Sequence, residues 1–464
     1  MNLLAAADHP LHLWWLLFVG FLPYWWALAR QRTAKGPAWL VGLVFATVYS
    51  LAVVSTAGLA PPVLIATFAG LLQWTLATAL AARCLDAGGV RGALGAAAVL
   101  TLVEVGSWHL VPVFGTAQAL VRPLSAAPWA VAFVAYTGIG GLQLAVTAVP
   151  ALLVAALRGP SRLLPAGAAF AIVAVVATMD MLRWQRPLGP ALHVGAFGWG
   201  ETTPSSPDGT NFVQLAARMA AGDQCRLLVT PEAAFDVGDR DRTLGFFRDL
   251  AALHPIPLAI GVWHAPTRDN RIWFFDGKGE LRGEYRKTHL VPVFENYATG
   301  DGAPVLVPFG DTKLGGMICQ DDNFTDIARA YGRAGTPIVA VPTNDWPAIR
   351  ELHLDNAIFR AIENGYAVVR AASGGVSAIV SPRGEVIARV DHVDDRLDGA
   401  GGDPRLGISR SQRAPEGALL HADVCLGDGS PTVYARLGDW PLLGLCGAAI
   451  ALARRRPRPA VTAH

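Results

Sequence analysis

Six apolar segments follow one another in the first 183 residues, each close to the ~20 residues that an α-helix needs to cross a bilayer core. They lie at about 11–29, 38–57, 61–82, 92–113, 129–157 and 165–182. A shorter apolar segment occupies 440–453. The composition agrees, because 52% of the 464 residues are hydrophobic and only 16% are charged. These patterns predict an α-helical transmembrane bundle of six spans at 1–183 and a C-terminal transmembrane helix at 439–456.

Basic residues cluster in alternate connections between these segments, and this pattern indicates how the chain crosses the membrane. They follow the first, third, fifth and last segments: Arg30, Arg32, Lys35, Arg83, Arg91, Arg158, Arg162, Arg454, Arg455, Arg456 and Arg458. Because basic connections stay in the cytoplasm, an outward N-terminus followed by six spans places residues 184–438 outside the cytoplasm. Residues 457–464 then form a basic cytoplasmic tail.

Glu104 lies toward the outer end of the fourth segment, near Trp108 and His109. A carboxylate inside a membrane-spanning helix is energetically costly, so it is a candidate functional residue. The alternative is an interfacial side chain that is hydrated from the following loop. The sequence leaves both interpretations open.

From 190 to 390, short apolar runs alternate with amphipathic segments of helix length, which is typical of an α/β layered domain. Runs such as CRLLVTPE and TKLGGMIC are expected to form strands, and segments such as TNFVQLAARMAA are expected to form helices. The late strands favour a two-sheet sandwich flanked by helices. Residues 391–417 are rich in Gly, Asp and Arg, and we expect a surface insertion there. The net charge of +2 is too balanced for nucleic-acid binding.

Three reactive side chains follow apolar strands, where a layered fold exposes them: Glu232 ends LLVTPE, Lys287 lies in EYRKTHLVPVFE, and Cys319 ends LGGMIC. A thiol needs a base to become a nucleophilic thiolate, and a partly desolvated carboxylate can serve as that base. An ammonium group can stabilise the oxyanion that forms when a thiolate attacks a carbonyl. This set is sufficient for acyl transfer without a histidine or a metal, so no cofactor is expected. Taken alone, such a cysteine is more often a small buried hydrophobe.

The cysteines show neither a CxxC pair nor the spacing of metal ligands. They are residues 84, 225, 319, 425 and 446. Their odd number leaves at least one thiol free, and a Cys225–Cys425 disulfide stays an open possibility.

The glutamate in PEAAF, the lysine in YRKTHLVP and the cysteine in GGMICQDD follow the order seen in the nitrilase superfamily of carbon–nitrogen hydrolases, which this chain resembles. The resemblance implies a nitrilase-like αββα sandwich at 184–438. It further implies that Glu232 is the general base, Lys287 the oxyanion stabiliser and Cys319 the nucleophile. Glu295 would support Lys287, and Asp321 would take a position that is usually a glutamate.

Four further stretches resemble the apolipoprotein N-acyltransferase family of bacterial membrane enzymes: KTHLVPVFE, TND, SGGVSAIVSPRGEVIA and YARLGDWPLLGL. That resemblance implies a ping-pong reaction at the bacterial inner membrane. Cys319 would take an acyl chain from a phospholipid as a thioester and pass it to the α-amine of diacylglyceryl-cysteine in an apolipoprotein. The implied partners are these two substrates and membrane lipids, with the protein a monomer. Asn344 and Asp345 follow the strand IVAVP and are expected at the pocket rim, and Trp346 is a candidate for the lining of an acyl path.

Two other classes of function stay open. A membrane-tethered amidase would resolve the acyl-enzyme with water and would have no need of six spans. Transfer to a different amine is a variant of the leading hypothesis. A non-enzymatic homologue that binds lipid or a partner is disfavoured because Glu232, Lys287 and Cys319 are all present. A diacylated lipopeptide separates transferase from hydrolase, since only a transferase forms an amide product.

Overall fold

The computed structural model describes residues 16–33, 36–110, 115–200, 209–393, 410–414 and 417–455. These residues form a helical bundle joined to a two-sheet α/β domain, so the predicted fold class is confirmed. The start of the first expected span and the 457–464 tail lie outside the described residues, as does most of the expected insertion at 391–417.

Within the described residues, five helices are long and apolar enough to cross a membrane. They follow a first helix, α1 (Leu16–Thr33), and are α2 (Ala38–Ala57), α3 (Pro61–Cys84), α4 (Gly89–Leu110), α5 (Val134–Arg158) and α6 (Leu163–Gln185). The expected fifth span begins later than residue 129. Two short 3₁₀ turns precede it, with Pro123 as the second residue of one and Pro128 as the first residue of the other, and proline lacks the N–H that a longer helix would use.

The outer faces of the bundle expose large apolar side chains. Phe68 and Leu72 on α3 are each 71% exposed, and Phe170 on α6 is 75% exposed. Soluble surfaces rarely carry such extended apolar patches, whereas a lipid-facing surface requires them. The final apolar helix, α12 (Trp440–Arg454), packs against α4. A Cβ at Gly95 would lie 2.5 Å from the Ala453 Cβ, so small residues allow this close helix contact.

The α/β domain contains two mixed sheets in the described part of the chain. The first has the order β13-β14-β1-β2-β4-β5-β6, with β3 paired to β4, and the second has the order β12-β11-β10-β9-β8-β7. The strands of the first sheet are β1 (Ala191–Gly198), β2 (Leu228–Val229), β3 (Phe235–Val237), β4 (Leu258–His264), β5 (Asp269–Phe275), β6 (Leu281–Arg286), β13 (Arg410–Ala414) and β14 (Gly417–Cys425). Those of the second are β7 (Val307–Phe309), β8 (Thr312–Gly316), β9 (Ile338–Asn344), β10 (Ala367–Ser373), β11 (Val376–Val380) and β12 (Val386–Asp391).

Helices flank both sheets, as the amphipathic segments predict. They are α7 (Thr210–Gly222), α8 (Arg240–Leu253), α9 (Thr325–Arg333), α10 (Arg350–Asn364) and the short α11 (Val433–Leu437). Phe212 of α7 and Phe247 of α8 are buried in a cluster with Trp273 on the first sheet. Among the described residues of the expected insertion, Arg410–Ala414 form strand β13, which pairs antiparallel with β14 at the sheet edge.

Helix α10 joins the second sheet to the bundle. The α5 helix is interrupted at Gly138, whose φ is +68°, and the next N–H, that of Ile139, donates to Glu363 Oε1 of α10 at 2.7 Å. Arg360 Nη2 lies 2.8 Å from Glu363 Oε2. A carboxylate at the N-terminus of a helix segment is stabilised by the unpaired N–H groups there. The bundle and the α/β domain are therefore tied together by a buried polar contact.

Candidate active site

Cys319 lies at a strained turn directly after strand β8. Its φ is +46°, a conformation that costs a non-glycine residue about 1–3 kcal/mol. The fully buried carboxylate of Asp321 fixes this turn, since it accepts hydrogen bonds from Ile318 N at 3.1 Å, Tyr285 Oη at 2.8 Å and His289 N at 2.7 Å. Asp321 therefore connects the cysteine turn to the segment after Lys287.

The structure brings Glu232, Lys287 and Cys319 together. Lys287 Nζ lies 2.7 Å from Glu232 Oε1, and the Cys319 thiol is close enough for the charges of both groups to act on its pKa. Each of the three side chains is at most 5% exposed. A base, a cation and a thiol thus share one water-poor site, where electrostatic interactions are stronger than at a surface.

Three neighbours hold the glutamate and the lysine in place. Glu295 Oε1 accepts a hydrogen bond from Lys287 Nζ at 2.7 Å, while Asn270 Nδ2 donates to Glu232 Oε1 at 2.6 Å. The backbone N–H of Asn344 donates to Glu232 Oε2 at 3.0 Å. The Asn344 carbonyl oxygen lies 3.6 Å from the Cys319 sulfur, so this residue contacts both the acid and the thiol.

Burial and charge together set the protonation states of the three groups. Burial raises the pKa of Glu232, and the charge of Glu295 adds to this, against the opposing effect of Lys287. Burial and the Glu232 charge hold the pKa of Cys319 well above its ordinary value. Burial lowers the pKa of Lys287, but the negative groups around it outweigh that effect and hold it well above its ordinary value. The resting site therefore contains a protonated thiol, a charged lysine and a carboxylate that readily takes a proton.

A buried network of ion pairs lies directly behind the cysteine, and sequence reasoning missed it. His353 Nε2 lies 3.2 Å from the Cys319 carbonyl oxygen and 2.9 Å from Asp322, while its Nδ1 lies 2.6 Å from Asp345. Arg370 Nη2 lies 2.5 Å from Asp345. Burial lowers the pKa of His353, but the two carboxylates outweigh it and raise the pKa to about 9.

A signal for this network was present in the sequence. Polar residues recur on α10 at spacings of three or four, as His353, Asn356, Arg360 and Glu363, and all four are buried. Such spacing places them on neighbouring turns of one helix face. A polar stripe on an otherwise buried helix predicts buried contacts.

One group of side chains could hold a metal ion by distance alone. Cys319, Asp345 and His353 each place a ligand atom within 4.8 Å of the others. However, both ring nitrogens of His353 face carboxylates, and Asp345 already forms an ion pair with Arg370. A cation would have to displace these ion pairs, so we assign no ion to the group.

An apolar cavity of about 700 Å³, part of it open to solvent, lies between the α/β domain and the bundle. Its lining includes Gln320, adjacent to Cys319 in the chain, and Trp346. From the bundle it includes Val53 of α2 and Val63 of α3. Trp346 is partly exposed here, so it lies at the rim of the site and packs edge-on against Phe294, with ring centroids 5.9 Å apart.

Cys225 and Cys425 are free thiols in the structure, so the possible disulfide between them is not formed. Cys225 is buried beside Gly195, and Cys425 is partly exposed at the end of β14.

The chain is similar in sequence to known proteins. A family model described as carbon–nitrogen hydrolase matches residues 199–396. An apolipoprotein N-acyltransferase of Geobacter metallireducens is 25% identical over 278 residues, which cover 53% of this chain and 49% of the relative. One from Rhodopseudomonas palustris is 31% identical over 219 residues, covering 41% and 36%. The chain thus spans about half the length, or less, of these curated relatives.

Among solved structures, a mutant amidase of Nesterenkonia AN1 from the nitrilase superfamily is 20% identical, with a TM-score of 0.42. The match covers 56% of this chain and 98% of the amidase. The chain described here carries a carbon–nitrogen hydrolase domain and has distant relatives named apolipoprotein N-acyltransferase.

Proposed function

We propose that this protein is a membrane acyltransferase that moves a fatty acyl chain from a phospholipid to the N-terminal amine of a diacylglyceryl-cysteine in apolipoproteins. The observation that carries the proposal is the position of the Cys319 site beside an apolar cavity lined by membrane helices α2 and α3. An acyl chain can reach such a cavity from the bilayer without crossing water. The names of the distant relatives support the same reaction.

In the first half-reaction, Cys319 Sγ attacks the carbonyl carbon of a phospholipid acyl ester. Glu232 accepts the thiol proton as the bond forms, because the raised thiol pKa leaves little free thiolate. Lys287 stabilises the oxyanion of the tetrahedral intermediate. Collapse of that intermediate breaks the ester C–O bond, and the alkoxide takes the proton from Glu232. The products are a lysophospholipid and the acyl thioester on Cys319.

In the second half-reaction, the acceptor amine attacks the thioester carbonyl. Glu232 accepts a proton from the amine, and collapse of the second tetrahedral intermediate expels the sulfur, which recovers that proton. An amide is formed and the Cys319 thiol is restored. The same glutamate and lysine thus serve both steps, which suits a ping-pong reaction.

Four residues have supporting roles in this scheme. Glu295 holds the lysine, and Asp321 holds the strained cysteine turn without contacting substrate. Asn344 positions Glu232 through its backbone N–H. Trp346 at the cavity rim would contact the acyl chain.

The test is the intact mass of the purified protein after incubation with phospholipid and no acceptor. A gain of one acyl chain that is removed by hydroxylamine is expected for the unaltered protein and for Cys425→Ala, and not for Cys319→Ala. Cys425 is a suitable control because it is a partly exposed thiol outside the site. Addition of a diacylated lipopeptide should then give an amide product, and an N-acetylated peptide should not.

The alternative function is that of a membrane-tethered amidase. It would be supported if the thioester formed and only free fatty acid accumulated in the presence of the lipopeptide. Absence of any adduct, with the lipid intact, would remove the phospholipid as donor.

The proposed orientation places the α/β domain on the extracytoplasmic side of the bacterial inner membrane. It is supported by the chain direction, because α6 leads directly into β1, so the Arg162 end of α6 lies away from the domain. In a Cys425→Ser background, an impermeant maleimide should label Lys278→Cys in spheroplasts and should not label Arg162→Cys. Both positions are exposed in the structure. The reverse labelling would overturn the orientation.

A further inference from the structure

Glu104 is buried within the helical bundle. It lies on α4 and is only 2% exposed, so the interpretation as a hydrated interfacial side chain is wrong. The residue is separate from the Glu232 site and has no part in the mechanism above. A carboxylate in this setting requires polar partners, because transfer of a charged group from water into an apolar region is costly.

The two oxygens of this carboxylate have different surroundings. Oε1 accepts a hydrogen bond from Leu120 N at 2.8 Å. Oε2 is buried and has no hydrogen-bond partner among the described residues. The nearby cation Arg122 is already engaged, with its Nε 3.3 Å from Asp355 and its Nη1 donating to the Ala117 carbonyl. The fold thus supplies a partner for one oxygen and leaves the other unused.

Glu104 lines a second cavity, whose volume is about 570 Å³ including the part that is open to solvent. Polar side chains in its lining are Gln73, Ser107 and Gln118, and the aromatic ones are Tyr49, Trp74 and Trp108. The second cavity shares Tyr49, Ala66 and Gln118 with the apolar cavity beside Cys319. One ligand, or two adjacent ligands, can therefore occupy both cavities.

The wall between this second cavity and the active site is thin. Gly115 lines the second cavity, and a Cβ at Gly115 would lie 2.2 Å from the carbonyl oxygen of Asn323. The next residue, Thr116, donates to the same oxygen at 3.0 Å. Asn323 ends the short turn that begins at Cys319. The second cavity thus borders the turn that begins at Cys319.

From these observations we infer that Glu104 and the second cavity bind a primary ammonium group of a substrate. A buried anionic oxygen complements a cation with three donors, and aromatic faces add cation–π attraction. The inference rests on the proposed function, in which two substrates can carry this group. They are a phospholipid with an ethanolamine headgroup and the acceptor, whose N-terminal amine would dock here as an ammonium before it loses a proton and reaches the Cys319 thioester.

Glu104→Gln is the informative variant, because the amide oxygen can still accept from Leu120 N while the negative charge is lost. Thr101→Val is the matched control. Thr101 is also buried on α4, and in the described part of the chain its hydroxyl bonds only to Ala97 of the same helix, at 3.0 Å. Thioester formation on Cys319 is measured with phosphatidylethanolamine and with phosphatidylglycerol. If the donor headgroup is the ligand, Glu104→Gln slows the reaction by about tenfold with the ethanolamine lipid alone, and Thr101→Val changes neither rate.

A second arm distinguishes the acceptor as the source of the ammonium group. Acyl-enzyme is first formed from phosphatidylglycerol and then mixed with a diacylated lipopeptide. If the acceptor amine is the ligand, Glu104→Gln raises the KM for the lipopeptide about tenfold and leaves both donor rates unchanged. Equal losses with both donor lipids and with the lipopeptide would overturn the inference and indicate a structural role. Unchanged rates in all three reactions would overturn it as well.

Two further measurements keep this inference separate from the proposed function and from folding of the variant. If the unaltered protein forms no thioester, the proposed function fails. Native mass spectrometry of Cys319→Ala can then compare bound phosphatidylethanolamine, bound phosphatidylglycerol and bound free-amine lipopeptide, and no preference for an amine-bearing ligand would overturn the ammonium site.

If Glu104→Gln does not fold, dialkyl ether analogues of the two lipids can compete with substrate on the unaltered protein. Stronger inhibition by the ethanolamine ether supports the donor site. Should the two ethers inhibit equally, the free-amine and N-acetylated lipopeptides are compared as ligands in the same way, and equal binding of that pair too would overturn the inference.

Discussion

At the scale of single residues, the reactive thiol is held in its protonated form. Cys319 is buried beside the carboxylate of Glu232, and both burial and this charge raise the thiol pKa. Many reactive cysteines are instead thiolates at rest, stabilised by a neighbouring cation. Here Lys287 is closely paired with Glu232 and Glu295, so its charge is largely compensated. In the proposed reaction, nucleophilic attack therefore depends on proton transfer to the glutamate.

Replacement of this base gives the first prediction. Glu232→Gln should slow thioester formation about 10²–10⁴-fold, because the amide cannot accept the thiol proton. The melting temperature should change little, since the amide retains an oxygen that can accept a hydrogen bond from Asn270. Thioester formation is followed by intact mass at fixed times after mixing with phospholipid. A rate within tenfold of the unaltered protein would exclude Glu232 as the general base.

The pH dependence of the same reaction gives the second prediction. Glu232 acts when it is ionised, so the rate should rise with pH through a midpoint above the ~4.3 of a free glutamate. The charge of Glu295 contributes to this elevation. In Glu295→Gln the midpoint should therefore shift to lower pH, whatever happens to the maximal rate. A midpoint that stays in place, or moves upward, contradicts this electrostatic account.

At the scale of secondary structure elements, helix α10 supports the site from behind. Its polar stripe contacts the cysteine turn through His353, the 115–126 segment through Asn356 and Asp355, and the α5 interruption through Glu363. A helix between a sheet and a membrane bundle would ordinarily be apolar on its buried faces. These polar contacts fix the relative positions of three segments, because directional bonds specify geometry more narrowly than apolar packing does.

The His353 network gives the third prediction. Its folded-state pKa of about 9 lies above the ordinary value of about 6.5. A raised pKa means that the stabilisation is complete below pH 6.5 and is lost as the pH rises through 9. The melting temperature should therefore fall between pH 6.5 and 9.5. His353→Gln removes one of the two cations that face Asp322 and Asp345 and leaves Arg370, so it should cost about 3 kcal/mol at pH 6.5 and less at pH 9.5.

Thermal unfolding followed by intrinsic fluorescence across this pH range checks that prediction. His254→Gln is a suitable control, because His254 lies at the C-terminal end of α8, remote from the cysteine turn. A parallel pH profile for His353→Gln and the unaltered protein would show that His353 is not the titrating group.

At the scale of the whole molecule, the bundle and the α/β domain form a continuous structure around the site. The Gly138 interruption receives the ring of Tyr434 from α11, while Glu363 binds the adjacent N–H. Four elements thus meet there: α5, α10, α11 and the start of α12, where Asp439 lies 3.3 Å from the Tyr434 hydroxyl. The apolar cavity needs residues from both halves, so their separation would open it.

A substitution at this junction gives the fourth prediction. In Gly138→Ala, the new Cβ would lie 2.2 Å from Tyr434 Cε2, at a φ of +68° that disfavours alanine. We expect a lower melting temperature and a reduced rate of thioester formation. Gly167→Ala is the matched control, since a Cβ there meets no atom within 4 Å in the described part of the chain. Equal melting temperatures for the two variants would show that the junction tolerates a side chain at residue 138.

Much of this architecture could be predicted from the sequence. The lengths of the apolar segments predicted the spans from residue 38 onward. Short strand-like runs predicted β1, β4, β8, β9 and β10, because burial imposes a characteristic length and periodicity on the local sequence. The strand-end rule drew attention to Glu232 and Cys319. Short edge strands such as β3 and β7 were missed, since two or three residues give no periodic signal.

The long-range contacts could not be predicted in the same way. That His353 faces Cys319, or that Glu104 lines a cavity, depends on how distant segments pack, and no local pattern records this. The sequence raised Glu104 as a question only because its carboxylate stands in an apolar segment. Its burial, and its single hydrogen bond to Leu120, are tertiary properties.

The position of the apolar cavity against α2 and α3 has a consequence for kinetics. A site that draws its substrate from the bilayer responds to the mole fraction of that substrate in the membrane, and the bulk molar concentration matters little. Diluting the donor phospholipid with inert lipid or detergent at constant total donor should then slow acylation. The potency of inhibitors aimed at this cavity would likewise depend on their membrane partition coefficient as much as on their affinity for the cavity, because they would bind from the bilayer.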